Sequence, residues 1–257
     1  MEIALAPILE ALTAYLWPFI RISAAVVVMP VLGGSFAPMR VKILLAMSLT
    51  LVIAPILPSS PPLDLLSGSG VLLLLQEVLI GLSIGFVVQL VFDAIALGGQ
   101  VISMTMGLGF AVFIDRQNGV NIPVLGQFFM ILGMLVFLSL DGHLAVIELL
   151  ANSFVWMPLT EPGLGRAAFA GILEWSGQVF LIAARIAIPA VTALMIVNIS
   201  FGVMSRAAPT LNLFAIGFPA AMLLGFTVIF LTIDNLRESV SLALADAFLF
   251  LPELLGG

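Results

Sequence analysis

The chain has 257 residues, of which 62% are hydrophobic and only 9% carry a charge, with a formal net charge of −6. Ordinary soluble proteins are about 25% charged, because a water-facing surface needs charged side chains. The composition therefore excludes a soluble domain and predicts an integral membrane protein. The few acidic and basic residues are spread thinly and form no basic patch, so nucleic acid is not an expected partner.

The chain has no cysteine and a single histidine, His143. Disulfides, thiolate metal sites and cysteine nucleophiles are excluded, and a histidine-based metal site or catalytic triad is not expected. Gly107-x-Gly109 is no phosphate-binding loop, since no strand precedes it and no Lys-Ser/Thr follows it. We therefore expect neither a cofactor nor enzyme activity. The first residues carry Glu2 and Glu10 but no base, so no cleaved signal peptide is expected.

Long apolar segments follow one another along the chain, separated by short polar links. Hydropathy predicts about six helical spans, at residues 11–32, 43–57, 71–97, 124–140, 175–203 and 213–233. A shorter apolar piece covers residues 144–157. Loops are predicted at residues 58–70 and 158–170, and the second is the better boundary between two halves. Strands of alternating polarity are absent from the sequence, so the predicted fold class is all-α.

The tail from residue 234 to residue 257 is more charged than the rest of the chain. It also carries apolar residues at helical spacing, at Leu236, Val240, Leu244 and Phe248. This pattern predicts an amphipathic terminal helix.

The links between the predicted spans differ in charge, which bears on their orientation. Arg40 and Lys42 lie in the link at residues 33–42, and Arg206 lies in the link near Pro209, where one helix should stop before another starts. The positive-inside rule places both basic links on the cytoplasmic side.

Four charged residues lie inside the apolar segments, namely Arg21, Glu77, Asp93 and Arg185. A charge at the middle of a membrane costs about 2.5–3.5 kcal/mol on insertion scales, so these residues are expected to be paired. One interpretation is the proton or ion pathway of a transporter. The other is a set of structural ion pairs, within the chain or with partner subunits. Few polar residues flank Glu77 and Asp93, which favours structural pairs.

Two glycines, Gly81 and Gly85, lie four residues apart in the third predicted span. This spacing puts both on one helix face and permits the close approach of another helix. That helix could belong to a partner subunit or to the same chain, and the motif alone does not distinguish the two.

The stretch from residue 103 to residue 129 has no clean helical period and contains the adjacent pair Asp115–Arg116. Irregular backbone in so apolar a chain is costly unless it lines a cavity or packs against protein. Beside its first glycines lie Met104 and Met106, whose flexible side chains could form a deformable seal around a passing polypeptide or simply fill a core.

Several segments resemble the FliR family of flagellar type III export-gate proteins, in order and over nearly the whole chain. They are WPFIRISA (17–24), APMRVKILLAMSLTLVIAPILP (37–58), QEVLIGLSIGFVVQLVFDA (76–94), MGLGFAVFID (106–115), NIPVLGQFF (121–129), DGHL (141–144) and VNISFGVMSRAAPTLNLFAIGFP (197–219). No single segment is decisive, but the set is specific. A virulence-secretion counterpart is similar in outline and is the nearest alternative family.

The resemblance implies a multi-pass subunit of the export gate in the bacterial inner membrane, at the flagellar basal body. Its partners would be several copies of FliP and FliQ, together with FlhB, FlhA, membrane lipid and the unfolded flagellar proteins that are exported. Residues 1–165 would form a FliP-like helical part. Residues 166–257 would form a FliQ-like hairpin and the amphipathic tail.

The resemblance also implies that the loop at residues 107–123 reaches into the pore and helps to plug it. The residues implied in this plug are Met104, Met106, Gly107, Leu108, Gly109, Phe110, Phe113, Ile114, Asp115, Arg116 and Asn118. The chain departs from a common form of the family at Arg116, where a proline often follows the aspartate. Arg206 would lie in the cytoplasmic turn of the FliQ-like hairpin, in agreement with the charge of that link.

A stand-alone secondary transporter that works through its intramembrane charges is the alternative from a different functional class. Such a transporter should work as a monomer or a simple homodimer, with its acids controlling uptake. A gate subunit should instead co-purify with several small membrane proteins.

Overall fold

The computed structural model describes residues 5–33, 37–57, 67–108, 124–159, 163–207 and 213–256. All regular secondary structure in these ranges is helical. The helices are α1 (Leu5–Val28), α2 (Pro30–Gly33), α3 (Met39–Ile53), α4 (Gly68–Thr105), α5 (Val124–Ser139), α6 (Gly142–Trp156), α7 (Arg166–Ser176), α8 (Gln178–Ala207), α9 (Leu213–Leu231) and α10 (Ile233–Leu254), with a 3₁₀ turn at Ala54–Ile56. The all-α class predicted from the sequence is confirmed.

Three helical segments in the described residues are long and apolar enough to cross a membrane: Met39–Ile56, Gly68–Thr105 and Arg166–Ala207. Two bent pairs, α5 with α6 and most of α9 with α10, raise the number to five if each pair is one span. About six spans were expected. The remaining expected span falls on α1, a 24-residue helix in which Leu12–Val28 is apolar.

Two boundaries differ from the sequence prediction. Helix α4 continues to Thr105, well past the predicted end at residue 97. The apolar residues that follow residue 97 keep a helical spacing, and the helix ends only where Gly107 adopts a positive φ. The loop predicted at residues 158–170 is shorter, because α7 begins at Arg166. A boundary near residue 165 between FliP-like and FliQ-like parts stays a prediction.

One compact unit comprises Met1–Leu90, Asp141–Ser176 and Leu244–Gly257. Its core holds α1 against α3, with Ile22, Val26, Ala46, Ile53 and Phe154 in one buried cluster. In the same unit, the ring of Trp175 in α7 stacks on the ring of Phe250 in α10, with their centroids 5.4 Å apart.

The two spaced glycines of α4 lie in this unit and face α1. A Cβ atom added at Gly85 would lie 2.6 Å from the carbonyl oxygen of Ala25, and one added at Gly81 would overlap the carbonyl oxygen of Arg21. Real Cβ atoms do not approach backbone oxygen so closely, so the absence of a side chain permits this crossing. The neighbour of the motif is therefore a helix of the same chain.

The other unit comprises Val91–Leu140 and Gly177–Ala243. In it, the last turns of α4 pack against α5 and α8. Phe92 meets Phe137 edge to face at 5.6 Å, and a Cβ at Gly133 would lie 2.9 Å from the side chain of Ile95.

The terminal helix α10 has a buried face and an exposed face. Leu236, Val240 and Leu244 are buried, and Phe248 is partly buried. The acidic residues Asp234 and Asp246 lie on exposed positions of the same helix. The spacing of the apolar residues thus corresponds to burial within the protein.

Candidate functional site

The predicted pore loop begins where α4 ends, and this end is a Schellman motif. Gly107 has a φ of 83°, in the left-handed region that glycine adopts without strain. The N–H of Leu108 donates to the carbonyl oxygen of Ser103 (3.1 Å), and the N–H of Gly107 donates to that of Met104 (3.1 Å). These two hydrogen bonds define the motif. The backbone itself therefore fixes the direction in which the chain leaves α4.

Helix α8 provides a further contact at this point. The side-chain amide of Asn198 donates to the carbonyl oxygen of Thr105 (3.3 Å), one of the carbonyls that the end of α4 leaves without a helical partner. The hydroxyl of Thr105 in turn donates to the carbonyl oxygen of Ile102 (2.7 Å). The last turn of α4 is thus held both internally and by α8.

The two methionines near the loop have different environments. Met106 is 1% exposed and lies against Gly225 of α9, where an added Cβ would come within 2.6 Å of its Cγ and 2.8 Å of its Sδ. Met104 is 65% exposed. Met106 therefore packs into the base of the loop, and only Met104 presents its side chain to a molecule outside the chain.

The chain returns from the loop into α5, and this helix also packs on α4. A Cβ added at Gly99 would lie 2.8 Å from the carbonyl oxygen of Leu125 and 2.9 Å from the side chain of Phe129. The neighbouring Gly98 faces Ile186 of α8 at 3.0 Å. This adjacent glycine pair lets α5 and α8 approach α4 from two sides, about two turns before α4 ends. We call the assembly of Ser103–Leu108, Asn198, Gly225 and the start of α5 the loop base.

The rest of the predicted plug lies outside the described residues. These positions are Gly109, Phe110, Phe113, Ile114, Asp115, Arg116 and Asn118. Of the predicted plug residues, the structure describes Met104, Met106, Gly107 and Leu108.

The other candidate site is a buried ion pair that joins α1 to α4. The Nε of Arg21 lies 2.7 Å from Oε2 of Glu77, and its Nη2 lies 2.8 Å from Oε1. Both side chains are 0% exposed. The planar guanidinium thus meets the carboxylate through two parallel hydrogen bonds, the geometry that gives such pairs most of their specificity.

The end of α6 takes up the remaining donors of Arg21. Its Nη1 donates to the carbonyl oxygen (2.7 Å) and the hydroxyl (3.3 Å) of Ser153, and its Nη2 donates to the carbonyl oxygen of Met157 (2.9 Å). A guanidinium has five N–H groups, and all five are therefore used. The cation also lies 4.1 Å above the ring of Phe154 and at the negative end of the α6 dipole.

The remaining predicted charged residues lie in the other unit and on its surface. Asp93 of α4 and Arg185 of α8 both have exposed side chains, as does Arg206 in the last turn of α8. The charged partner of Arg21 is Glu77, and the structure groups neither Asp93 nor Arg185 with that pair. Their predicted role at a subunit interface remains a prediction.

Sequence reasoning missed Ser153, Phe154, Asn198 and Gly225. Each is a common residue type in a helix, and only the three-dimensional packing gives it a role. Adjacent glycines at 98 and 99 within a long apolar helix were an available signal of the close packing of α5 and α8 on α4. Among the described residues no group of three or more His, Cys, Asp or Glu side chains is arranged to hold a metal ion.

Comparison with known proteins matches the chain to one family and to relatives that share one name. Residues 12–246 match the family model described as bacterial export proteins, family 1. The chain is 36% identical over 241 residues to the flagellar biosynthetic protein FliR of Pectobacterium carotovorum, covering 94% of this chain and 92% of that protein. It is 36% identical to the protein of the same name in Escherichia coli K12, over 86% of this chain and 84% of that one. A Bacillus subtilis protein of that name is 29% identical, over 89% and 92%.

Proposed function

Because the chain belongs to the bacterial export proteins, family 1, we propose that it is a membrane subunit of the apparatus that exports flagellar proteins. The flagellar assignment, rather than a virulence-secretion role, comes from relatives named as flagellar biosynthetic proteins that align over nearly their whole length. The family match also confirms the FliR resemblance of the sequence. In this role the chain helps to form and to close the channel for unfolded flagellar proteins, and it is a structural component of secretion rather than an enzyme.

The loop base is the observation that supports a gating role. A long apolar helix ends in a backbone-fixed turn at Gly107, where α8 and α9 contact it through Asn198 and Gly225, and α5 packs on the same helix at Gly99 through Phe129. A segment that closes a pore needs such a base, because it must return to one position after each passage of substrate. The segment between Leu108 and Val124 is the part of the chain that this base holds at both ends.

The buried ion pair supports a structural role over a transport role. A carboxylate that carries protons must be able to change its partners during the cycle. Glu77 instead meets Arg21 through both oxygens, and Arg21 has no N–H group left for another acceptor. A pair with every donor satisfied is suited to holding helices α1, α4 and α6 together.

The proposal extends to partners and location. We place the chain in the inner membrane at the flagellar basal body, in a complex with several copies of FliP and FliQ, with FlhB and FlhA as further partners. The many large apolar side chains that the described chain leaves exposed, such as Ile199, Phe230 and Leu249, are the surface that lipid and such partners would cover.

The mass of the intact complex after mild detergent extraction tests this function. The chain should co-purify with several copies of small membrane proteins, and cells lacking it should fail to secrete flagellar proteins while they still synthesise them. An isolated monomer or homodimer that supports solute uptake would overturn the proposal and favour a secondary transporter.

A further inference from the structure

An apolar groove runs along the outer surface between α1 and α3. It has a volume of about 270 Å³ and is lined by Leu12, Tyr15, Leu16, Phe19, Met47, Thr50 and Leu51. The hydroxyl of Thr50 donates to the carbonyl oxygen of Ala46 (2.7 Å), so this residue presents no free donor to the groove. The groove wall is therefore suited to a hydrocarbon.

A ridge of exposed side chains connects this groove to the start of α3. Arg40, Leu44, Met47 and Leu51 are spaced four, three and four residues apart, so they share one face of the helix. Leu44 is 63% exposed and Leu51 is 62% exposed. The ridge is an uninterrupted apolar path that leads from a cation to the groove.

The start of α3 carries unbalanced positive charge. Arg40 is exposed and Lys42 is partly buried, and the first turn of α3 contains no acidic residue. Neither side chain forms an ion pair with any of the described residues. The positive end of the α3 dipole adds to the same field.

We propose that this surface binds one anionic phospholipid, with its phosphate at Arg40 and an acyl chain along the ridge into the groove. Helices rise about 1.5 Å per residue, so Leu51 lies about 16 Å from Arg40 along α3. One leaflet of a hydrocarbon core is about 15 Å deep. The ridge therefore matches the reach of one acyl chain from the headgroup level to the middle of the membrane.

The lining of the groove is suited to an acyl chain. Five of its seven side chains, all except Tyr15 and Thr50, carry no hydrogen-bonding group. Basic residues at the cytoplasmic ends of membrane helices are a recurring way to hold anionic headgroups. The lipid site follows from this surface alone and does not depend on the export role.

Native mass spectrometry of the full-length chain, mixed with phosphatidylglycerol or with phosphatidylcholine, tests the site. The wild type should retain phosphatidylglycerol in preference to phosphatidylcholine. Arg40→Ala should lower this retention about fivefold, from the loss of one cation at the membrane surface. Lys42→Ala is the matched control, because it removes the same charge from the same turn but from another helix face, and it should retain lipid as the wild type does. The proposal would be overturned if the Arg40 and Lys42 variants retained phosphatidylglycerol equally. It would also be overturned if the wild type retained the two lipids equally.

Two further variants test the groove and its occupant. Met47→Trp fills the groove without changing charge, so it should displace the lipid while the helical circular dichroism stays that of the wild type. A photo-cross-linking amino acid at position 51 should form a lipid adduct in the assembled membrane complex. A cross-link from that position to a protein subunit would assign the groove to a partner and refute the lipid site.

Discussion

Arg21 and Glu77 form a two-hydrogen-bond ion pair in the interior of the protein, at 2.7 and 2.8 Å, with neither side chain exposed. They are separated by 56 positions in the chain, and the pair joins helix α1 to helix α4. The other donors of Arg21 bind the end of α6. One side chain thus determines how three helices meet.

Glu77→Ala should destabilise the protein strongly, because it leaves the guanidinium buried without its counter-charge. Removing one partner of a buried pair costs about 3–5 kcal/mol. The thermal unfolding midpoint of the purified protein in detergent measures the effect. Glu148→Ala, which removes an exposed acid from α6, is the control and should change stability by less than about 0.5 kcal/mol. Similar midpoints for the two variants would refute the structural role of the pair.

The double variant Arg21→Met with Glu77→Leu tests the same pair differently. Apolar residues of similar volume avoid the cost of burying two charges, so the double variant should be more stable than Glu77→Ala. Secretion by the double variant should persist if the pair is structural. A stable double variant that assembles normally but no longer exports would show that the charges act in transport.

Gly81→Ala should separate α1 from α4, because the new methyl group would overlap the backbone of Arg21. Overpacking of this kind costs about 1–3 kcal/mol. Gly202→Ala is the matched control, since Gly202 also lies inside a helix but has nothing within 4 Å of its Cβ position. That control should be neutral or stabilising by about 0.5–1 kcal/mol. Equal unfolding midpoints for the two variants would contradict the close crossing.

Gly107→Ala should loosen the loop base, because a left-handed conformation costs residues with a Cβ about 1–2 kcal/mol. Gly107→Asn should cost less, because asparagine tolerates this conformation at helix ends. Amide hydrogen exchange at residues 104–108 measures the effect, with faster exchange expected for alanine than for asparagine. The reverse order would argue against the Schellman motif at this position.

Gly225→Leu should raise the ion permeability of membranes that contain the assembled complex, because the new side chain would force Met106 out of its packed position. Gly217→Leu in the same helix is the control, since nothing lies within 4 Å of that Cβ position. Sodium flux into vesicles is the measurement. An equal sodium flux for the two variants would show that the packing of Met106 is not needed to close the pore.

Much of this structure could be predicted from the sequence, because lipid leaves an apolar chain few options. A backbone that crosses a membrane must satisfy its own hydrogen bonds, so apolar segments predict helices. Their ends were less predictable. The end of α4 depends on Gly107, and the carbonyl of Thr105 there accepts a hydrogen bond from Asn198, which lies far away in the chain.

The candidate site was only partly predictable, for a related reason. Arg21 and Glu77 stood out because a charge in an apolar segment needs a partner, but their pairing with each other depends on helix packing. Ser153 and Phe154, which complete the cluster, are unremarkable in sequence. The distinction between buried Met106 and exposed Met104 depends on Gly225, which no local pattern connects to either residue.

The conductance of the assembled complex in a planar bilayer tests the central claim, that the segment held by the loop base closes the pore. Residues 109–119 are replaced by a glycine–serine linker of the same length, which keeps Gly107 and Leu108 and the spacing between α4 and α5. Replacement of residues 58–66 by a glycine–serine linker of their own length is the control. The central variant should conduct ions at rest, whereas the wild type and the control stay closed. A central variant that assembles fully and conducts no more than the wild type would contradict the account.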